Sequence, residues 1–270
     1  MKQFIVFIAL TVIILNYCNS VAQSLTGKSP VAILPVYGSD FTADHFGNIY
    51  WITGNTLLKI NPHTDTQLSY SNPMFGEINQ VDASDPLNIL VYHGSFNKVV
   101  WLDRNLSVKT SQHGHQPFNG GFTGVLAKSA KGGFWIFNPN SQRIEHYSQS
   151  FILQMQSQPL FMVLEGFHSP VYMVEGGSRL FVNQPNLGIA VFDLFGNFLY
   201  LIEKKGLSRF EVGDNNIFFF SEMSLKSYNF IHQTESVVFT YDLPILRGLI
   251  KGNIVYLLTR NGLKIYTLTE

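Results

Sequence analysis

A turn followed by a short apolar strand recurs six times along the chain, and this repeat limits the possible folds most strongly. Gly, Asn, Asp or Pro marks each turn, and the first apolar residue of the strand anchors the repeat. The anchors are Ile49, Ile89, Phe134, Leu180, Ile217 and Ile254, with spacings of 40, 45, 46, 37 and 37 residues. Periods of about 40–50 residues are typical of four-stranded propeller blades. The pattern predicts an all-β, six-bladed β-propeller of four-stranded antiparallel blades.

The last repeat ends at Glu270 without an outer strand, whereas residues 29–37 near the N-terminus form a strand pattern with no partner. We expect this N-terminal strand to complete the last blade and close the ring, because closure removes strand edges that would otherwise pair with other chains. Six repeats account for nearly all residues after position 22. Residues 23–270 are therefore predicted to be a single propeller domain.

The first 22 residues have the pattern of a signal peptide. Met1–Lys2 provides a positive start, and residues 4–15 (FIVFIALTVIIL) are apolar but too short for a stable membrane span. Small residues at Ser20 and Ala22 favour cleavage before Gln23. The alternatives are an uncleaved anchor and a lipoprotein modified at Cys18, although the bulky Tyr17 disfavours the second. A secreted or periplasmic protein of the cell envelope is expected, with no transmembrane segment after cleavage.

Composition excludes several classes of function. The 18 Lys and Arg residues balance the 18 Asp and Glu residues, so no broad basic surface is available for nucleic acid. The single cysteine, Cys18, excludes a disulfide framework and cysteine-rich metal centres. The hydrophobic fraction of 46% is sufficient for a sizeable core. A neutral globular protein, expected to be monomeric, remains.

Three segments carry a family resemblance: residues 44–51 (DHFGNIYW), 132–136 (GGFWI) and 192–198 (FDLFGNF). They resemble the blade signatures of NHL-type propellers and of related lactonase-like propellers, although the second and fourth repeats lack the Gly-Asn pair. Gly provides the positive φ that such turns need, and Asn or Asp tolerates it. The resemblance implies a fold and no catalytic residue, since this fold serves many unrelated functions.

Motifs for nucleophilic catalysis and phosphate binding are missing from the sequence, which contains no G-x-S-x-G, G-x-x-x-x-G-K-[ST], G-x-G-x-x-G or H-E-x-x-H. An enzyme is therefore disfavoured, and no cofactor is expected. The favoured hypothesis is an exported, non-catalytic scaffold that binds another envelope or extracellular protein. The alternatives are a metal-dependent hydrolase of the sugar-lactonase type and a propeller that binds a glycan or small ligand.

Candidate binding residues lie in the segments that join one blade to the next, because these joins share one face of a propeller. The join at residues 112–124 is polar and Gly-rich, and the join at residues 159–170 is longer than folding requires. Surplus loop length on one rim is where recognition is usually found. The candidates are His113, His115, Phe118, Phe122, Phe161, Phe167, His168, Arg209 and Arg247.

The hydrolase alternative uses oxygen ligands on the same face. Sugar lactonases hold a divalent cation near the central opening with Glu, Asn and Asp, and the corresponding candidates here are Asp40, Glu77, Asn79, Glu165 and Asp242. His113 and His115 are a second candidate pair, because residues two apart on an extended strand face the same way. Arg209 and Arg247 occupy equivalent places in their repeats, on the same face. Their positive charges argue against a bound cation there.

Overall fold

The chain folds into six antiparallel four-stranded sheets arranged as a β-propeller. The structure is a computed structural model that describes residues 23–24, 29–62, 64, 66–111 and 124–268. The predicted signal peptide, residues 1–22, lies outside the described residues. The all-β, six-bladed fold predicted from the repeat is confirmed. In the described part of the chain, no helix is long and apolar enough to cross a membrane.

Two short strands precede the first blade, β1 (Gln23–Ser24) and β2 (Ala32–Leu34). Blade 1 comprises β3 (Asp40–Ala43), β4 (Ile49–Thr53), β5 (Thr56–Asn61) and β6 (Thr66–Ser71). Blade 2 comprises β7 (Ile78–Asp82), β8 (Ile89–His93), β9 (Lys98–Leu102) and β10 (Val108–Ser111). Blade 3 comprises β11 (Leu126–Lys128), β12 (Phe134–Asn138), β13 (Arg143–Tyr147) and β14 (Leu153–Gln156).

Blade 4 comprises β15 (Tyr172–Gly176), β16 (Arg179–Gln184), β17 (Gly188–Asp193) and β18 (Phe198–Ile202). Blade 5 comprises β19 (Glu211–Val212), β20 (Asn216–Ser221), β21 (Ser224–Asn229) and β22 (Thr234–Thr240). Blade 6 comprises β23 (Arg247–Lys251), β24 (Ile254–Thr259) and β25 (Gly262–Thr267). All six predicted anchors lie in the second strand of their blade.

Both N-terminal strands pair with the outer edges of late blades. β2 lies antiparallel to β25 and is the fourth strand of blade 6. It is shorter than the predicted strand at residues 29–37, because Pro30 and Pro35 flank it and proline has no amide hydrogen for a ladder. β1, which the sequence analysis missed, adds to blade 5 as a fifth strand parallel to β22.

The core consists of one apolar cluster at each of the six contacts between neighbouring blades. Successive residues of a strand point to opposite faces, so each second strand serves two clusters. In β4, Tyr50 packs towards blade 2, whereas Trp51 packs towards blade 6. Trp101 and Trp135 are likewise buried. These large aromatic side chains are therefore part of the core.

Two loops with the Asp-x-x-Gly-Asn pattern show why the signature recurs. In the first loop, the Asp44 carboxylate accepts hydrogen bonds from the backbone amides of Phe46 and Asn48, and Gly47 has φ of 81°. The loop from Asp193 to Asn197 repeats these bonds, and its Gly196 also has φ of 81°. Each signature therefore specifies a turn between two strands, as the sequence predicts.

Candidate functional site

The first strands of the six blades surround a central channel with a volume of about 750 Å³. Since the strands alternate in direction, the joins between blades and the turns between second and third strands lie at one end, here called the upper face. The other turns lie at the opposite end, the lower face. Charged side chains line the channel, namely Asp40, Asp82, Asp85, Lys128, Lys131, Glu175, Arg209, Glu211, Arg247 and Lys251.

Asp40, Arg209 and Arg247 form an ion-paired cluster at the upper opening. Asp40 is the first residue of β3, Arg247 is the first residue of β23, and Arg209 lies two residues before β19. Arg209 Nη1 is 3.0 Å from Asp40 Oδ2, and Arg247 Nε is 3.0 Å from Asp40 Oδ1. The repeat brings these residues together, because each lies at or just before the start of the first strand of its blade, at the upper end of the channel.

The two guanidinium groups dominate the electrostatics of this opening. Burial acts to raise the pKa of the Asp40 carboxyl, but Arg247 and Arg209 outweigh it and lower that pKa overall. Asp40 Oδ1 also accepts a hydrogen bond from the Phe41 amide at 2.8 Å. Two guanidinium groups face the Asp40 carboxylate, and Glu211, which interacts with Arg247, is balanced by Lys251, so these five side chains carry a net charge of +1. This arrangement suits an incoming anion and opposes a cation.

The lower part of the channel holds two further ion pairs. Lys251 Nζ is 3.6 Å from Glu211 Oε2, and Lys128 Nζ is 3.7 Å from Asp85 Oδ2. Burial raises the pKa of the Glu211 carboxyl, although Lys251 and Arg247 partly oppose this. Burial lowers the pKa of the Lys128 ammonium against the attraction of Asp82 and Asp85. Both groups are thus held near opposite charges inside the protein.

Glu175 has a structural role in the channel wall, where it ties blade 4 to blade 3. Its carboxylate accepts hydrogen bonds from Trp135 Nε1 at 2.7 Å and from the backbone amide of Ala130 at 3.0 Å. Both oxygens are therefore engaged by the neighbouring blade. This carboxylate is unsuited to a catalytic or metal-binding role, because such a role would require it to give up these donors.

Several joins fold back over the turn of the preceding blade. Backbone hydrogen bonds fix them: Ile78 N to Gly54 O at 2.8 Å, Leu160 N to Gln142 O at 2.7 Å, and Gly206 N to Pro185 O at 2.9 Å. Large apolar side chains are nevertheless left 45–83% exposed on this upper face, namely Met74, Phe96, Phe161, Met162, Met223 and Leu246. Such exposure is typical of surfaces that meet a partner.

The lower face also carries exposed apolar side chains, but in a different setting. They occupy tight turns between strands, namely Phe46, Leu87, Ile152, Phe195 and Ile231. Phe195, for example, lies under the Lys131 ammonium, which is 5.2 Å from the centre of its ring. The upper face differs because it also holds the opening with the cluster of Asp40, Arg209 and Arg247.

The structure separates the nine predicted binding residues into four groups, one of which is the buried Phe167 alone. Arg209 and Arg247 meet at the upper opening, and Phe161 and His168 are exposed in the join at residues 157–171. The remaining surface candidates, His113, His115, Phe118 and Phe122, lie outside the described residues.

Phe167 requires a correction, because it is 1% exposed and belongs to the core cluster between blades 3 and 4. The chain reverses at the short helix Leu160–Met162, and the Phe167 amide then bonds to the Leu164 carbonyl. This reversal turns the ring inward, against Leu160 of the same cluster. Phe167 is thus a packing residue, and its prediction as a binding residue is wrong.

The five residues of the metal hypothesis are divided between the channel and the exposed surface. Asp40 and Asn79 line the channel, but Asp40 is bound by two arginines, and Asn79 Oδ1 accepts the Gly94 amide. Glu77, Glu165 and Asp242 are exposed and lie outside the channel lining. Within the described ranges, no three His, Cys, Asp or Glu residues are grouped to hold a metal ion.

No family model matches the chain, and no curated protein matches it. Solved structures do resemble it. A chain of the mitotic checkpoint complex has a TM-score of 0.65 at 10% identity, covering 90% of this chain and 95% of that chain. Virginiamycin B lyase from Staphylococcus aureus has a TM-score of 0.56 at 12% identity, covering 85% and 80% respectively.

A third likeness is to the extracellular domain of a putative one-component system, BT4673, from B. thetaiotaomicron. Its TM-score is 0.56 at 13% identity, and the match covers 84% of this chain but 32% of that chain. At such identities the likeness concerns the fold alone. Fold and comparisons together define this chain as a six-bladed β-propeller protein. Its closer resemblance to NHL-type propellers stays a prediction.

Proposed function

We propose that this protein is exported to the cell envelope or exterior and binds another protein there through its upper face, without turnover of its own. One observation carries the proposal: exposed apolar side chains share the upper face with the opening that holds the cluster of Asp40, Arg209 and Arg247. Protein interfaces combine apolar anchors with arginine in this way. The signal-peptide pattern of residues 1–22 supports the location.

The charge of the opening argues against the hydrolase alternative. A divalent cation bound to Asp40 would have to displace two guanidinium groups that are each 3.0 Å from its carboxylate. The glycan-binding alternative predicts an exposed aromatic platform next to hydrogen-bonding groups. Phe161, by contrast, is exposed beside the apolar Met162, an environment that suits a protein partner better.

Site-specific photo-crosslinking tests the proposal directly. A benzophenone amino acid replaces Phe161 on the upper face, and in a control protein it replaces Phe195 on the lower face. These side chains are 63% and 66% exposed, so the probes are equally accessible. We expect one protein from the envelope to crosslink at position 161 and not at position 195.

The captured protein is then purified, and its affinity is measured with wild type and with the Phe161→Ser and Phe195→Ser variants. We expect Phe161→Ser to weaken binding about ten-fold or more, since interface aromatics commonly contribute 1–2 kcal/mol or more. Crosslinking only at position 195, or equal affinity of both variants, would contradict the proposal. Metal-dependent hydrolysis of a sugar lactone by the purified protein would replace it with the hydrolase hypothesis.

A further inference from the structure

We infer that the upper opening is a carboxylate-binding site and that the partner inserts an Asp or Glu side chain between Arg209 and Arg247. This inference rests on the proposed function, since it names the chemistry by which the upper face recognises its partner. The Asp40 carboxylate already accepts one hydrogen bond from each arginine, so it competes with the partner's carboxylate for these guanidinium groups.

The geometry leaves hydrogen-bond donors for a second carboxylate. Arg209 bonds to Asp40 through Nη1 alone, whereas Arg247 uses Nε for Asp40 and Nη1 for the Gly248 carbonyl at 3.1 Å. Within the described residues, Arg209 Nε and Nη2 and Arg247 Nη2 make no hydrogen bond. Guanidinium groups bind carboxylates in a two-pronged geometry, which gives both strength and orientation.

Burial makes the site stronger than a pair of surface arginines would be. The Arg247 side chain is 25% exposed and the Asp40 side chain is 27% exposed, so salt screens them only in part. Arg209 is 42% exposed and lines the channel. The cluster has a net charge of +1, so one additional carboxylate neutralises it.

The partner is assigned as a protein because of the apolar side chains that share the upper face with the opening. Phe161, Met162 and Leu246 are each exposed by 60% or more on the same face. A free small acid would leave these side chains in water, whereas a protein that inserts one acidic side chain also covers them. Apolar contact around a central charged contact is typical of protein interfaces.

Nuclear magnetic resonance tests the inference with simple peptides. The probe is a Gly-Gly-Glu-Gly-Gly peptide with blocked termini, and its Gln counterpart is the neutral control. We expect the Glu peptide to shift the Nε–Hε signals of Arg209 and Arg247 and the Gln peptide to leave them unchanged. The shifts should diminish as salt is added, because exposed charge is screened.

Three variants distinguish this site from general positive charge. Arg247→Gln should weaken binding of the Glu peptide about ten-fold or more, since it removes a charge-assisted hydrogen bond. Arg260→Gln, in an exposed turn of the same face, is the matched control and should change nothing. Asp40→Asn should tighten binding several-fold, because it removes the competing carboxylate. Thermal unfolding verifies that each variant is folded.

Equal binding of the Glu and Gln peptides would overturn the inference, and so would weaker binding by a folded Asp40→Asn variant. Glutarate is tested in parallel as a free dicarboxylate. If glutarate binds ten-fold or more tightly than the peptide, the site takes a small acid and the assignment to a protein partner is wrong. Crosslinking at position 161 is independent of these charges, so the proposed function can stand when this inference fails.

Discussion

The hydrogen bond between Trp135 and Glu175 provides a measurable link between the channel wall and the stability of the propeller. Three buried tryptophans differ in how their indole N–H is satisfied. Trp135 Nε1 donates to Glu175 Oε2 at 2.7 Å, whereas Trp51 Nε1 and Trp101 Nε1 have no hydrogen-bond partner among the described residues. Replacement by phenylalanine therefore removes a hydrogen bond at position 135, whereas at positions 51 and 101 it removes side-chain volume but no hydrogen bond.

All three Trp→Phe substitutions should cost about 1–2 kcal/mol for the lost packing. Trp135→Phe also removes a hydrogen bond to a charged group, for which about 1.5–3 kcal/mol is typical. Glu175 is only partly buried, so water in the channel can hydrogen-bond to its carboxylate and offset part of this loss. We therefore use the lower value of about 1.5 kcal/mol for the lost bond. We expect Trp135→Phe to lower the melting temperature by about 3–6 °C more than Trp51→Phe or Trp101→Phe.

Equilibrium unfolding in urea measures the free energies, and a double-mutant cycle isolates the bond. In a Glu175→Leu background, Trp135→Phe should cost no more than Trp101→Phe does in the wild type. Equal destabilisation by all three substitutions in the wild type would refute the argument. A Trp135→Phe cost that persists unchanged with Leu at position 175 would refute it equally.

Two further predictions concern buried polar groups. Asp44→Ala should cost about 2–4 kcal/mol in urea unfolding, because the buried carboxylate accepts hydrogen bonds from its loop and from the Tyr50 hydroxyl at 2.8 Å. Asp193 lies in a similar loop but is only partly buried, so Asp193→Ala should cost about 1 kcal/mol, and equal costs would contradict the role of burial. Burial lowers the pKa of His93 from its ordinary value of 6.5, so the unfolded chain takes up the proton more readily, and stability should fall as the pH drops below about 6.5. The His93→Gln variant should lose less unfolding free energy than the wild type between about pH 7 and pH 5. An equal loss in both proteins over this range would contradict the prediction.

The repeat could be predicted from the sequence because second strands are buried on both faces. A strand between two blades needs apolar residues at successive positions, and it follows a turn with narrow backbone requirements. Ile49 and Phe134 are both 0% exposed and mark such strands. A turn signal followed by a run of apolar residues can be recognised in the sequence, so both the number of blades and the anchors could be predicted.

The channel wall was harder to predict, because first strands are short and mix apolar with charged residues. β11 has three residues and β19 has two. One signal was nevertheless present: a charged residue precedes every anchor by three to nine positions, namely Asp40, Asp82, Lys128, Glu175, Glu211 and Lys251. Each of these side chains lines the channel. The pairing of Asp40 with residues about 170 and 207 positions away has no local signature.

The carboxylates that stabilise turns and the arginines proposed to bind a partner differ in where their hydrogen-bond partners come from. On the lower face, the Asp44 and Asp193 carboxylates are saturated by donors within their own loops, so they stabilise turns and have little left for a ligand. At the upper opening, Arg209 and Arg247 come from different blades, and each retains a donor nitrogen that Asp40 does not use. In the proposed function, a substitution there alters recognition and leaves the turns unchanged, because, among the described residues, these two side chains bond to Asp40 and to the Gly248 carbonyl of β23 and to no turn. Under this proposal, binding specificity can diverge at the positions where the chain enters the channel, while the six-bladed ring is preserved.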